Sequence, residues 1–296
     1  IAIAQGGESD VQGTASNPVI MTSSVKQPGG WGGLVICGKA PINKGLTASA
    51  EVSELTYGGA ISNDSSGSIR YLRLEYTGYA YNNDKEFNGL SLFGVGSGTL
   101  IEYVQSYEGS DDAFEWFGGT VNAKYLVAFN GSSSVGDDIF DWTEGWNGTG
   151  EYWYGKRTNA GNRGIEADNN SNNHTATPIS NPTLRNITLI GAGDAGSEPQ
   201  AIKLRVGTNV NFDNLVLSNW KTGFDIQHNE SLAFVTAGSL KATNVKFDNV
   251  ATKSKGTDTA GAAVDVTSVY TENTNATGAG NGTGVPNWAT GWTKGL

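Results

Sequence analysis

The sequence holds one cysteine, Cys37, in 296 residues, which excludes a disulfide framework and a cysteine-rich zinc centre. Two histidines, His174 and His228, argue against a histidine-built metal site or a Ser-His-Asp triad. Charged residues make up only 16%, against roughly 25% in an average globular domain. Nineteen basic against 29 acidic residues leave a net charge of −10, so attraction to nucleic acid or anionic lipid is disfavoured. No apolar run approaches the roughly 20 residues that span a bilayer. There is no initiator methionine or basic-flanked leader, and the chain opens at Ile1-Ala-Ile-Ala as a processed or excised chain would. Glycine pairs occur, but no helical pattern follows them, so there is no dinucleotide fingerprint and no organic cofactor is expected.

What is abundant is glycine, 42 residues, with Asn, Ser and Thr supplying the polar bulk. This composition points to an extracytoplasmic chain rich in strands and turns. No heptad pattern or amphipathic helix of ten residues is visible. A short apolar–polar–apolar unit recurs instead: Leu90-Ser91-Leu92, Phe114-Glu115-Trp116, Phe140-Asp141-Trp142, Ile165-Glu166-Ala167, Ile202-Lys203-Leu204 and Phe224-Asp225-Ile226. A second series, Leu72, Val104, Leu126, Tyr154, Ile187, Leu215 and Val245, interleaves with it. Two strand columns alternating along one chain describe a solenoid in which each coil buries its apolar face only by stacking on the next. The expected fold is all-β, a right-handed parallel β-helix, in preference to a propeller or a two-sheet sandwich. Residues 1–250 form the β-helix, with loops at 78–88 and 168–182. Residues 251–296 form an irregular last coil and C-terminal cap, with Trp288 and Trp292 folding over the open end.

Three stretches resemble a family of secreted bacterial right-handed parallel β-helix surface proteins and lipoproteins. They are Asp111-Asp112-Ala113-Phe114-Glu115-Trp116-Phe117-Gly118-Gly119-Thr120-Val121-Asn122-Ala123-Lys124-Tyr125-Leu126, the glycine-rich segment from Gly29 to Asn43, and Gly164-Ile165-Glu166-Ala167-Asp168-Asn169. The similarity covers about residues 10 to 250. It implies the fold and a secreted or cell-surface location, and it carries over no activity. It also implies further coils before Ile1, so that the first coil offers an end for end-to-end self-association.

If the apolar residues of each unit face inward, the residues between them face outward. Glu115, Asp141 and Glu166 then form a ladder, followed by Lys203. A parallel set, Asp112, Asp138 and Arg163, lies three residues upstream, and Asp111, Asp137, Glu144 and Asp168 join the same region. Carboxylates one strand spacing apart repel by roughly 3.5 kcal/mol at an effective dielectric of 20. They must therefore be solvated, share protons, pair with Arg or Lys, or hold a cation. An all-oxygen donor set favours Ca²⁺, with Asp111, Asp112, Glu115, Asp137, Asp138, Asp141, Glu166 and Asp168 as candidate ligands. The competing reading is a solvated acidic face.

Trp116 and Trp142 fall at inward positions and are expected to stack internally. Trp146, Trp153 and Tyr154 lie where the repeat is irregular and, with Arg163, are candidates for binding a glycan. The resulting expectation is a non-catalytic, secreted or surface-attached protein that binds Ca²⁺ and serves adhesion, glycan binding or self-assembly. The alternatives are a filament-forming subunit and a polysaccharide-active lyase or glycosidase. In the enzymatic alternative the acids are Glu115, Asp141 and Glu166, assisted by Lys203 and Arg205.

Overall fold

The computed structural model describes residues 1–82, 85–131, 136–158 and 160–296. Its strands pair in parallel from coil to coil, and the chain is a parallel β-helix. Strands Leu34–Cys37, Leu90–Phe93, Phe114–Phe117, Phe140–Thr143, Ile165–Ala167 and Gln200–Leu204 stack as one column that continues onto the far ends of the long strands Asn211–Gln227 and Lys241–Thr257. Gly67–Glu75, Leu100–Tyr107, Asn122–Asn130, Thr149–Arg157, Thr183–Gly193, Asn211–Gln227 and Lys241–Thr257 stack as the other. A first coil that the repeat pattern did not reveal is built from Ala2–Ile3, Ser9–Gln12 and Val19–Met21.

The interior follows from the alternation. Leu90, Phe114, Phe140, Ile165, Ile202 and Phe224 lie in one inward row, and Leu92, Trp116, Trp142, Ala167, Leu204 and Ile226 in the next. All are fully buried in one continuous core. Trp116 stacks on Trp146 and Trp153 with centroids 4.7 and 5.0 Å away.

The second column bends, and the bend repeats. Tyr71, Tyr103, Tyr125, Tyr152, Asn186, Asn214 and Asn244 all have φ between 52° and 61°, a left-handed conformation that costs a non-glycine residue about 1–2 kcal/mol. Stacking offsets the cost. The four tyrosine rings lie 4.3, 4.4 and 5.1 Å apart and nearly parallel, and Asn214 Nδ2 donates to Asn186 Oδ1 at 2.8 Å. The bend also corrects the sequence reading by one residue. Leu126 pairs with Trp153, which in turn pairs with Ile187, so Trp153 occupies the inward position expected of Tyr154.

Two segments leave the coil. Residues 38–59 carry the hairpin Ala48–Ser49/Thr56–Tyr57 and fold over the outer face of the first column. There Ile42, Ala50, Val52 and Tyr57 pack on Val35, Cys37, Phe93 and Phe117 in a second apolar cluster. The loop at 78–88 contains positions 83 and 84, which lie outside the described residues.

The far end of the core is closed by an eight-residue helix, α1 (Asn229–Thr236), which buries Leu232 and Val235. Val266, Val269 and Tyr270 complete the closure. Trp288 and Trp292 do not cap that end. The tail instead runs back along the flank: Ala279 N donates to Thr188 Oγ1, Trp288 meets Tyr125, Trp292 meets Tyr71 and Tyr103, and Lys294 N donates to Gln105 Oε1. The stacked tyrosines present ring edges there that the terminal indoles cover. Trp292→Ala should cost about 3–5 kcal/mol and expose residues 277–296. Limited proteolysis should remove the tail from the variant before the coils are cut, whereas simultaneous loss of both would contradict this packing.

Candidate functional site

Pairing brings the predicted ladder together. Ser91, Glu115, Asp141, Glu166, Lys203 and Asp225 are successive partners in one outward row. The upstream set aligns as well, by a different device. Asp112 Oδ1 accepts the N–H of Asp138 at 2.7 Å, and Asp138 Oδ1 accepts the N–H of Arg163 at 2.6 Å. Each carboxylate thus holds the backbone of the coil that follows it.

The row divides into two halves of different electrostatics. In the later half Asp138, Glu166 and Asp168 each meet a cation, while Asp225 accepts from Gln227 Nε2. Glu166 lies 2.8 Å from both Arg163 Nη1 and Arg205 Nη2, Asp168 lies 2.7 Å from Arg205 Nε, and Asp138 lies 3.1 Å from Arg163. Lys203 is paired at 2.9 Å with Glu198, which also meets Arg163.

In the earlier half no ion pair reaches Asp112, Glu115 or Asp141 among the described residues; the buried Arg157, whose Nη2 donates to Asp137 O at 2.7 Å, acts on Asp112 only through space. Glu115 accepts one hydrogen bond, from Asn88 Nδ2 at 2.5 Å. Among the described residues, Asp141 accepts none. Three sets, Asp111–Asp112–Asp137, Asp112–Glu115–Asp141 and Asp138–Asp141–Glu166, each bring one carboxylate oxygen per residue within 4.8 Å of the others.

Burial and crowding push these acids up. Burial, then the neighbouring carboxylates, hold Asp112, Glu115 and Asp141 well above the usual range. Burial with Glu86 and Asp137 raises Asp111 to about 8. Burial raises Glu166 to about 7 and Asp138 to about 6 against the pull of their arginines. Glu115 and Asp141 point outward and are half-buried, so they are neither sealed in the core nor freely solvated. Part of the upward push on Glu115 comes from Glu51, a carboxylate on the 38–59 segment. Sequence pattern gave no signal for Glu51, because it stands outside the repeat.

The aromatic candidates are corrected. Trp146 and Trp153 are completely buried in the core, and their indole N–H groups donate to Val121 O and Ala123 O, each at 3.1 Å. Tyr154 is buried beneath the tail, against Ala279 and Trp292. None of the three offers a ring face to a glycan. Arg163, the fourth candidate, lies in the site but is itself buried and occupied by acids. Glu144 belongs to a separate latch, held by Tyr57 Oη at 2.5 Å and Lys44 Nζ at 3.0 Å, which fastens the 38–59 segment to the coil.

All donors in the earlier half are carboxylate oxygens. With Ca–O distances of roughly 2.3–2.6 Å, oxygens sharing one ion lie at most about 5 Å apart, and the Asp112–Glu115–Asp141 set meets that condition. Absent a cation, these groups have folded-state pKa values above their unfolded ones. Their contribution to stability is therefore present at acid pH and is lost as pH rises through their raised folded-state values. Asp141→Asn, which removes one uncompensated charge, should stabilise the metal-free protein at pH 8 by about 1–3 kcal/mol and have little effect at pH 4. Denaturant melts at the two pH values check this, and destabilisation at pH 8 would contradict it.

A family model described as a pectate-lyase-like β-helix domain matches residues 1–293. No curated protein and no solved structure matches the chain.

Proposed function

The chain belongs to the pectate-lyase-like β-helix family, and from that premise we propose that it is an extracellular polysaccharide-binding protein whose acidic row holds Ca²⁺. The observation that carries the reading is Asp141, a half-buried carboxylate that accepts no hydrogen bond among the described residues; strand register sets it between Glu115 and Glu166, and its oxygen comes within 4.8 Å of those of Asp112 and Glu115. Asp112, Glu115 and Asp141 are the ligands. Bound Ca²⁺ neutralises their mutual repulsion and leaves coordination positions for hydroxyl or carboxylate oxygens of a sugar. Arg163, Lys203 and Arg205 bound the site on the next coils, where their pairing with Glu166, Asp168 and Glu198 makes those acids poor competitors for the ion. Wall contact or adhesion follows from such binding without any bond being broken.

A second reading, lyase or glycosidase action, draws on one observation. Glu166, raised to about 7, sits within ion-pair reach of Arg205, so an acid and a cation are both placed to act near neutral pH. The two readings part on product. Addition of millimolar Ca²⁺ at pH 8 should raise the melting temperature by several degrees, and Glu115→Gln with Asp141→Asn should remove the rise. Incubation with acidic and neutral polysaccharides should give pull-down without new reducing ends or unsaturated products. Product formation abolished by Glu166→Gln would replace binding with catalysis, and no Ca²⁺ response in the wild type would end the metal assignment.

A further inference from the structure

The end of the charged row is tied to helix α1 by one turn. After Arg205, whose guanidinium donates to Glu166 and Asp168, the next residue, Val206, has φ 42°. A β-branched residue in the left-handed region is a conformational outlier and persists only where surrounding contacts enforce it. Two contacts do so, and both come from the start of the helix. The N–H of Val206 donates to His228 Nδ1 at 3.1 Å, and the N–H of Gly207 donates to Ser231 Oγ at 3.0 Å.

An imidazole nitrogen that accepts an N–H carries no proton, so His228 is neutral with its hydrogen on Nε2. Its surroundings oppose a second proton. The His174 ring lies 5.0 Å away, edge-on, with its Nδ1 paired to Glu230 Oε2 at 3.0 Å. Arg205 on the turn adds positive charge, while Asp168 and Glu230 act in the opposite sense. The backbone N–H of His228 is fixed separately, on Thr257 O, so the ring can change its bonding while the main chain stays in place. Burial, followed by His174, holds the imidazole below its ordinary value.

We propose that His228 is a pH-sensitive latch that keeps the Val206 turn strained and Arg205 seated on Glu166 and Asp168. Protonation at Nδ1 turns the acceptor into a donor facing the N–H of Val206. The contact is then lost, the turn relaxes, and Arg205 is released from the row. The sign follows from linkage. The opened form binds the proton more readily than the latched form, so the latch holds at neutral pH and gives way as pH falls below the ordinary histidine value.

The test is amide hydrogen exchange on the whole chain, expressed as protection factors at pH 7 and pH 5. The amides of Val206 and Gly207 are followed, with that of Leu215 in the buried strand as reference. In the wild type, protection at Val206 should fall at least tenfold at pH 5 while Leu215 is unchanged. His228→Asn keeps a side-chain acceptor, tolerates the left-handed φ of 73° at this position and does not titrate, so its protection should be the same at both pH values. The imidazole titration of the wild type, read by NMR, should share its midpoint with the loss of Val206 protection; this measurement stands even if the variant folds poorly. Equal protection at pH 7 and 5 in the wild type, an undiminished drop in His228→Asn, or a midpoint that departs from that of the imidazole would each overturn the latch.

Discussion

Parallel stacking in register is the constraint on which everything else in this molecule depends. Strands about 4.8 Å apart place each residue directly over its counterpart one coil away, so every position becomes a column of chemically similar groups. What the column is worth depends on the group. Tyrosines at the bend stack face to face, and their contacts support a left-handed conformation that single tyrosines would avoid. Asparagines at the same bend donate and accept along the column. Phe93 over Phe117, with centroids 4.0 Å apart, gains in the same way on the outer face. Carboxylates gain nothing from one another, and the same geometry makes Glu115 over Asp141 a liability.

The chain answers that liability differently along one row. Around Arg163, Lys203 and Arg205, basic residues are interleaved, and Asp138, Glu166, Asp168 and Glu198 become ion-pair partners. Asp112, Glu115 and Asp141 are brought together with no ion pair among the described residues, and only the buried Arg157 acts on Asp112 through space. Removing charge from water and then crowding like with like is costly. Proteins retain such arrangements where a bound ion or a shared proton gives them a use. The proposed calcium site rests on this contrast between two halves of one sheet, which is more informative than the number of acids.

Much of this was legible in the sequence. The alternation Phe114-Glu115-Trp116 and Phe140-Asp141-Trp142 fixes which side chains face inward, and its recurrence predicts that Glu115, Asp141 and Glu166 align, as they do. What was not legible has a common physical origin, namely groups that meet through segments outside the repeat. Residues 38–59 pack on Phe93 and Phe117 beside the ladder and bring in Glu51, whose charge acts on Glu115. The left-handed residue at Tyr152 shifted the inward position to Trp153 and removed Trp153 and Tyr154 from consideration as a glycan platform. Helix α1 is too short to show a periodic stripe. The tail carries no repeat at all, and its course along the tyrosine edges is set by tertiary contact alone.

If register forces protons onto unpaired carboxylates, a cation entering the row must expel them. Calorimetric titration with Ca²⁺ at pH 7 in two buffers of different ionisation enthalpy measures that exchange directly. The account predicts a buffer-dependent heat corresponding to net proton release, which disappears when the titration is repeated at a pH above the range in which these acids ionise. Binding with identical heat in both buffers, or no binding heat in either, would contradict it.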